Sequence, residues 1–296
     1  MIGAATPAIQ GLLDRHLIFI LGCQRSGTTL TGQMLGAHPN AVLLDEPDGA
    51  PEWFLANRPT IADAEAALSE VIAKSRSKYG DPDSRYSGSR ALADSVTHVA
   101  IKAPNLTYWP KTIEAWSGPK SVIFPVRDPR AVAGSMMRLI EVDFVGRQTG
   151  LIRLANRAAM PVDAVDELML AATPLHVKRA LIWRIKNAMF DAFREIGLAP
   201  LRFRYEDLVG SPAATLARIA DHAGLSLDPA MLEHHGVYTG YGPGRTSRER
   251  AVDKSSLQSW RDWLTEEQAT EVAARAGPLA DAVGYRAAEA SPRAPP

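Results

Sequence analysis

The chain has 296 residues, with 33 lysines and arginines against 33 aspartates and glutamates, so its formal net charge is zero. This balance argues against a general binder of nucleic-acid polymers or membrane surfaces, because such proteins usually carry a basic excess. The single cysteine, Cys23, excludes an intrachain disulfide framework and a cysteine-rich zinc site.

The hydrophobic residues, 46% of the chain, are distributed in short runs. No window approaches the roughly 18 apolar residues that a transmembrane helix needs, so we expect no transmembrane segment. The first sustained apolar run, at residues 17–21, is too short for the core of a signal peptide. We therefore expect a cytoplasmic protein.

Five short apolar runs are typical of strands that are covered on both faces, because they are rich in Val, Ile, Leu and Phe and mostly do not alternate with polar residues. In chain order they are Leu17–Leu21, Ala41–Leu44, His98–Ile101, Ser121–Val126 and Leu201–Tyr205. Helical patterns lie between them. The sequence therefore predicts an α/β fold with a P-loop-type central parallel sheet of about five strands, flanked by helices.

Apolar spacing and capping residues predict where several helices lie. Helices are expected over Thr28–Ala37, near 60–78 and near 175–196. Ser211 and Pro212 are an N-cap and first-turn pair for a helix that would stop at Gly224, and Thr265 with Gln268 forms a capping box for a last helix that ends near Gly284.

No internal repeat and no clear linker divide the sequence. We therefore predict a single domain over residues 1–286. The Ala/Pro-rich end, residues 287–296, is expected to be a disordered tail.

The loop after the first apolar run has the frame of a phosphate-binding P-loop. It reads Gly22-Cys-Gln-Arg25-Ser-Gly27-Thr28-Thr29, with glycines that let backbone N–H groups surround an anion at the start of a helix. The lysine expected after Gly27 is replaced by Thr28, and the cation of the loop is Arg25. Because nucleoside-triphosphate hydrolysis by a P-loop uses that lysine, an ATPase or GTPase is disfavoured.

A second anion site is indicated at the end of the fourth run. Arg127 follows Val126, Asp128 is an N-cap, Pro129 is a first helical residue, and Ser135 lies about two turns into the new helix. An arginine fork with a hydroxyl suits a phosphate monoester. An ordinary capped helix start is the alternative at this position.

Charged side chains also follow the second and third runs. Ala41–Leu44 leads into Asp45, Glu46 and Asp48, and Lys102 follows Ile101. The carboxyl ends of parallel strands are where open α/β sheets bind their ligands. A loop-capping acidic cluster and a solvated lysine are the alternatives.

Together, these motifs resemble the PAPS-dependent sulfotransferases, where PAPS is 3′-phosphoadenosine 5′-phosphosulfate. Arg25-Ser-Gly-Thr-Thr29 looks like the loop that holds the 5′-phosphosulfate, and Arg127 with Ser135 looks like the 3′-phosphate site. Family-like segments also occur in order at Ala37-His-Pro39, at Tyr205-Glu-Asp-Leu-Val209 and before Trp260, so the resemblance covers about residues 17–264. The arginine in the first loop is closest to the bacterial and tyrosylprotein-type branch.

The resemblance implies a role for each matching residue. Arg25, Ser26, Gly27, Thr28 and Thr29 would hold the 5′-phosphosulfate. Glu46 matches the glutamate that acts as general base in tyrosylprotein-type relatives, with Asp45 and Asp48 as competing choices. Lys102 resembles the catalytic lysine that, with Arg25, stabilises charge on the leaving oxygen. Ala103 departs from the hydroxyl residue that is commoner in the family.

The segment Gly240–Trp260 is glycine-rich and then basic, and in the family such a segment covers the nucleotide. Ser247, Arg248 and Lys254 of this segment are the predicted contacts to the 3′-phosphate or the adenine, and a solvated flexible loop is the alternative. Tyr205 is a further predicted nucleotide contact. The adjacent pair His234-His235 lacks a third ligand, so no metal is assigned. The family reaction needs none.

The acceptor should be a hydroxyl of a small molecule, a glycan or a peptide, bound by residues within 47–96 and 139–177. A homodimer is left open. Two other functions stay open as well, a P-loop kinase or NTPase and a non-catalytic nucleotide-binding protein.

The zero net charge is a cancellation, because residues 41–70 hold seven acids and one arginine while residues 120–157 hold seven bases and three acids. Such local excesses are compatible with a small polyanion as ligand.

Overall fold

The computed structural model describes residues 15–45, 95–114, 116, 118–238, 240–242 and 246–285. The helix predicted near 60–78 and the tail predicted at 287–296 lie outside the described residues. So do Glu46 and Asp48. The single domain over 1–286 stays a prediction.

Five parallel strands form the central sheet, in the order β2-β3-β1-β4-β5. They are β1 (His16–Ile20), β2 (Ala41–Asp45), β3 (His98–Lys102), β4 (Lys120–Val126) and β5 (Leu201–Arg204). The predicted α/β fold with a parallel sheet is confirmed, and each strand lies within one residue of its predicted bounds. Because β2 and β3 lie on one side of β1 and β4 on the other, the carboxyl end of β1 is a topological switch point, where such sheets bind ligands.

Helices cover the sheet, and most of them connect one parallel strand to the next. They are α1 (Thr28–Gly36), α2 (Pro110–Glu114), α3 (Pro129–Met137), α4 (Phe144–Leu154), α5 (Val162–Met169), α6 (Leu175–Glu195), α7 (Tyr205–Gly210), α8 (Pro212–His222), α9 (Pro229–Leu232) and α10 (Glu266–Ala282). A short antiparallel pair, β6 (Tyr241–Gly242) with β7 (Thr246–Ser247), lies apart from the main sheet.

The two faces of the sheet belong to two different apolar cores, as the alternation of strand side chains requires. Leu17 and Phe19 of β1 pack on the face that also contacts Phe193 of α6. Ile18 and Ile20 pack on the opposite face, with apolar residues of α1 and α8. All four β1 side chains are fully buried, which explains why the strand is a continuous apolar run.

Two of the predicted helix caps form the expected side-chain hydrogen bonds and a third does not. Asp128 accepts a hydrogen bond from the backbone N–H of Arg130 at 2.8 Å, and Thr265 with Gln268 forms the predicted capping box. Ser211 occupies the N-cap position of α8, but its side chain makes no capping hydrogen bond. The last helix ends at Ala282 and is kinked at Gly277, where Pro278 follows. In the described part of the chain, no helix has the length and apolar character needed to cross a bilayer.

Candidate active site

The loop between β1 and α1 is curled by three residues in the left-handed region. Gly22, Arg25 and Gly27 have φ values of 93°, 69° and 92°. At Gly27 a Cβ atom would lie 2.4 Å from Cδ2 of Tyr205, so both its conformation and its surroundings require glycine. Thr28 and Thr29 begin α1, where backbone N–H groups have no partner within the helix. The loop therefore has the form of an anion-binding turn.

Two arginines connect the predicted phosphate motifs. Nε of Arg25 donates to Oγ of Ser135 at 2.9 Å, and Nη1 of Arg127 donates to the carbonyl oxygen of Arg25 at 3.1 Å. Arg127 also donates through Nη2 to the carbonyl oxygen of Ser256 at 2.5 Å and stacks on the ring of Tyr205 at 4.5 Å. The P-loop, the start of α3 and the segment around Ser256 therefore meet at one place.

The backbone at Arg127 and Asp128 is fixed by hydrogen bonds to side chains of other elements. Nε1 of Trp183 in α6 donates to the carbonyl oxygen of Arg127 at 2.9 Å. The next residue, Asp128, donates its backbone N–H to Glu206 at 3.1 Å, and the same carboxylate accepts from the hydroxyl of Tyr285. These contacts fix the direction in which Arg127 leaves the sheet.

A cleft of about 500 Å³ opens beside these residues, and we call it the P-loop cleft. Its charged lining comprises four arginines and two aspartates, so that cations predominate. Eight of the predicted nucleotide-binding residues line it: Arg25, Gly27, Thr28, Thr29, Arg127, Ser135, Tyr205 and Ser247. The sequence reasoning missed Gln33, Arg138, Arg250 and Ser256, which also line the cleft. Arg138 follows Ser135 by three residues, at the C-cap of α3, and this helical spacing could have identified it.

Three other predicted residues are placed differently. Ser26 is fully buried beneath the loop, and its hydroxyl has no hydrogen-bond partner among the described residues. Lys254 is exposed and does not line the cleft. Arg248 is buried and is directed at Asp45.

Asp45, the last residue of β2, lies between two buried cations. Its Oδ1 is 3.1 Å from Nζ of Lys102, and its Oδ2 is 3.2 Å from Nη2 of Arg248. The side chain of Asp45 has no exposed surface, and those of Lys102 and Arg248 are 2% and 5% exposed. Each oxygen of Asp45 therefore has a cation as its partner. The carboxylate neutralises Lys102 and ties Arg248 to the end of the sheet.

A second, smaller cleft of about 100 Å³ adjoins the first, and we call it the Lys102 cleft. Besides Lys102 it is lined by Gln24, Asn105, Val142, Phe144, Arg147 and Gln148. Arg25, Thr28 and Thr29 line both clefts. The start of α1 therefore lies between the two clefts and faces a ligand in either one.

Cys23, a potential nucleophile, and His234, a potential metal ligand, are both uncharged at neutral pH. Burial raises the pKa of the Cys23 thiol to about 12, so it stays protonated at neutral pH. Burial, with a smaller effect of His235, lowers the pKa of His234 to about 4, so the ring that lines the P-loop cleft is uncharged. Within the described ranges, no three His, Cys, Asp or Glu side chains are grouped so that they could hold a metal ion.

Comparison with known proteins finds one family throughout. A family model described as the sulfotransferase family matches residues 18–229. The nodulation protein NoeE of Sinorhizobium fredii is 26% identical over 272 residues, which are 85% of this chain and 61% of that protein. The chain thus corresponds to about three fifths of NoeE. A putative protein-tyrosine sulfotransferase of Caenorhabditis briggsae is 24% identical over 294 residues, 94% of this chain and 91% of the relative.

A solved structure has a similar fold. The sulfotransferase domain of the olefin synthase from Synechococcus PCC 7002 is 19% identical and superposes with a TM-score of 0.51, covering 87% of this chain and 93% of that domain. At this level of identity the likeness concerns the fold. It confirms the expected sulfotransferase-like architecture.

Proposed function

Because the chain belongs to the sulfotransferase family, we propose that it transfers the sulfuryl group of PAPS to a hydroxyl of an acceptor molecule. The P-loop cleft is the proposed site of the nucleotide, and the Lys102 cleft is the proposed site of the acceptor. The sulfur atom would then lie beside Arg25, Thr28 and Thr29, which line both clefts.

Buried donors beside the P-loop cleft carry this proposal. Nε of Arg127 and Nε2 of Gln33 are buried and donate to no described residue, although both side chains line the cleft. Buried donors in proteins nearly always have a partner. A nucleotide with a 3′-phosphate and a 5′-phosphosulfate supplies several anionic acceptors, and a volume of about 500 Å³ is in the range of small-molecule sites.

In this proposal each anionic group of PAPS has its own cations. Arg25 and the first N–H groups of α1 hold the 5′-phosphosulfate, while Arg127, Ser135 and Arg138 hold the 3′-phosphate. Ser247 and Ser256, from the segment that follows β6, close the cleft above the nucleotide. Lys254 and Arg248 contribute no contact in this arrangement, because the first is exposed and the second pairs with Asp45.

The acceptor hydroxyl attacks sulfur while the bond from sulfur to the phosphate oxygen breaks. Lys102 and Arg25 stabilise the negative charge that develops on that oxygen. Glu46, which immediately follows Asp45, takes the proton of the hydroxyl as general base. The name of the Caenorhabditis briggsae relative, a putative protein-tyrosine sulfotransferase, supports a hydroxyl acceptor.

A thermal-shift comparison tests this function against a P-loop kinase or NTPase. We expect PAP, the product nucleotide, to raise Tm, because ligands that bind only the folded state stabilise it. Mg-ATP should have little effect, since Thr28 stands where a triphosphatase has lysine. Stabilisation by Mg-ATP but not by PAP would favour the kinase. Stabilisation by PAP without label transfer from ³⁵S-PAPS to any hydroxyl compound would favour a non-catalytic nucleotide-binding protein.

Replacing Arg127 by alanine should weaken PAP binding by about 10- to 100-fold, because hydrogen bonds between charged groups are lost. Isothermal titration calorimetry with PAP measures this change. Arg218 of α8 is an exposed arginine outside both clefts, so Arg218→Ala is a matched control that should bind PAP normally. Unaltered affinity in Arg127→Ala would contradict the proposed 3′-phosphate site.

A further inference from the structure

Three side-chain amides form one hydrogen-bonded row in the wall of the Lys102 cleft. The proposed sulfuryl transfer assigns no role to any of them. Nε2 of Gln24 donates to Oδ1 of Asn105 at 2.7 Å, and Nε2 of Gln148 donates to the same oxygen at 3.0 Å. Gln24 comes from the P-loop, Asn105 from the turn after β3, and Gln148 from α4. The row therefore connects three separate parts of the chain.

Tyr108 lies at the buried end of the row. The hydroxyl of Tyr108 donates to Oε1 of Gln148 at 3.0 Å, and burial raises the pKa of this phenol well above its usual range, so it keeps its proton. Among the described residues, Oε1 of Gln148 is the acceptor that this hydroxyl reaches. With Oε1 of Gln148 at Tyr108, the amide nitrogen of Gln148 points at Asn105, and Oδ1 of Asn105 accepts from both glutamines.

One acceptor and one donor have no partner within the row, and they belong to Gln24 and Asn105, which both line the Lys102 cleft. Oε1 of Gln24 is buried and accepts no hydrogen bond from any described residue. Nδ2 of Asn105 likewise has no partner in the described part of the chain, since Oδ1 makes both of that residue's side-chain hydrogen bonds. A buried acceptor without a partner costs about 1–3 kcal/mol, so a ligand that satisfies it is favoured.

We propose that Gln24 and Asn105 bind a second hydroxyl of the acceptor, beside the one that is sulfated, and that the acceptor is therefore a polyhydroxylated ring such as a sugar unit. This inference rests on the proposed sulfuryl transfer. A hydroxyl both donates and accepts, so it satisfies Oε1 of Gln24 and Nδ2 of Asn105 together. A simple phenol has only its reacting hydroxyl and leaves both amides unsatisfied. Phe144, in the same cleft, offers an apolar surface to the ring.

Label transfer from ³⁵S-PAPS to defined probes tests the proposal. The polyhydroxylated probes are the methyl glycosides of glucose, galactose and mannose, and the probes with a single hydroxyl are cyclohexanol and 4-nitrophenol. We expect kcat/KM for at least one glycoside to exceed that for both single-hydroxyl probes by about tenfold or more, the size of one or two hydrogen bonds. A phenol or monoalcohol that reacts as well as every glycoside would overturn the proposal and leave the sulfotransferase function intact.

Two substitutions then test the residues themselves. Gln24→Met removes the buried acceptor, and Asn105→Asp keeps Oδ1 for the two glutamines while replacing the free donor. Each should lower the ratio of glycoside to phenol kcat/KM by about tenfold. Asn156→Asp is the matched control, because Asn156 is exposed and its Oδ1 only accepts from the backbone N–H of Ala158. A ratio that stays unchanged in both variants would overturn the subsite.

A binding measurement separates this proposal from the function on which it rests. If no probe receives sulfate, the proposed transfer to hydroxyls is contradicted. Saturation-transfer NMR of the methyl glycosides, with PAP present, then decides the subsite alone. A signal in the wild type that is lost in Gln24→Met supports it, and no signal in the wild type, or an equal signal in both proteins, overturns it.

Discussion

Replacing Glu46 by glutamine is expected to lower kcat by about 10²–10⁴-fold, the usual contribution of a general base, while PAP affinity stays nearly unchanged. Glu46 is assigned as the base because the preceding carboxylate, Asp45, is excluded from that role. Asp45 cannot serve as the base, because both of its oxygens face cations and its side chain has no exposed surface. Glu46, which lies outside the described residues, is the next carboxylate in the sequence after Asp45.

Initial rates with ³⁵S-PAPS and any acceptor that the wild type uses will measure the loss, and calorimetry with PAP will check the nucleotide site. Asp48→Asn is the matched control, since it removes a carboxylate two residues farther along the chain. Wild-type turnover in Glu46→Gln would remove Glu46 from the base role. A large loss in Asp48→Asn alone would assign that role to Asp48.

The sequence was sufficient for those features that depend on neighbouring residues. The strands are short apolar runs because both faces of the sheet are covered, and Asp128 and Thr265 cap their helices through bonds that span two or three residues. The P-loop was equally visible, because the glycine positions and the strand–loop–helix order lie within one short segment. In these cases the residues that cause the structural feature are close together in the sequence, so the sequence pattern shows them directly.

Features made by distant parts of the chain could not be predicted in this way. Asp45 and Arg248 are separated by 203 residues, and nothing near Arg248 indicates that it faces a carboxylate rather than a nucleotide. The row formed by Gln24, Asn105 and Gln148 is hidden for the same reason, since single amides carry no periodic signal. Only the folded arrangement shows which donors are already satisfied.

The contact between Asp45 and Arg248 shows that part of the zero net charge comes from a direct ion pair within the fold. Asp45 belongs to the acidic stretch of residues 41–70 and Arg248 to the basic stretch near residue 250. The two stretches compensate each other in the total charge, and these two side chains are in contact. Arg248 therefore couples the segment that covers the P-loop cleft to the strand that ends beside Lys102. The proposed nucleotide site uses other cations, the arginines that line the P-loop cleft, such as Arg127 and Arg138.

Asp45→Ala should lower the free energy of unfolding by about 3–5 kcal/mol, because it removes the carboxylate that two buried cations contact. Lys102 and Arg248 have 2% and 5% of their side chains exposed, so water cannot readily replace the carboxylate. Urea unfolding of the full chain measures the loss. Asp163→Ala is the matched control, since Asp163 pairs with Arg184 at an exposed site and such pairs contribute about 0–1 kcal/mol.

A second substitution distinguishes an electrostatic cause from lost packing. If uncompensated charge is the cause, Lys102→Met should restore part of the stability of Asp45→Ala, because it removes one of the two buried cations. If lost packing were the cause, the two losses would add. A loss in Asp45→Ala no larger than that in Asp163→Ala would contradict the buried ion pairs altogether. Turnover of the double variant should stay below that of the wild type even where stability is partly restored, because Lys102 itself is proposed to stabilise the leaving group. Stability and catalysis would then depend differently on the same carboxylate–lysine pair.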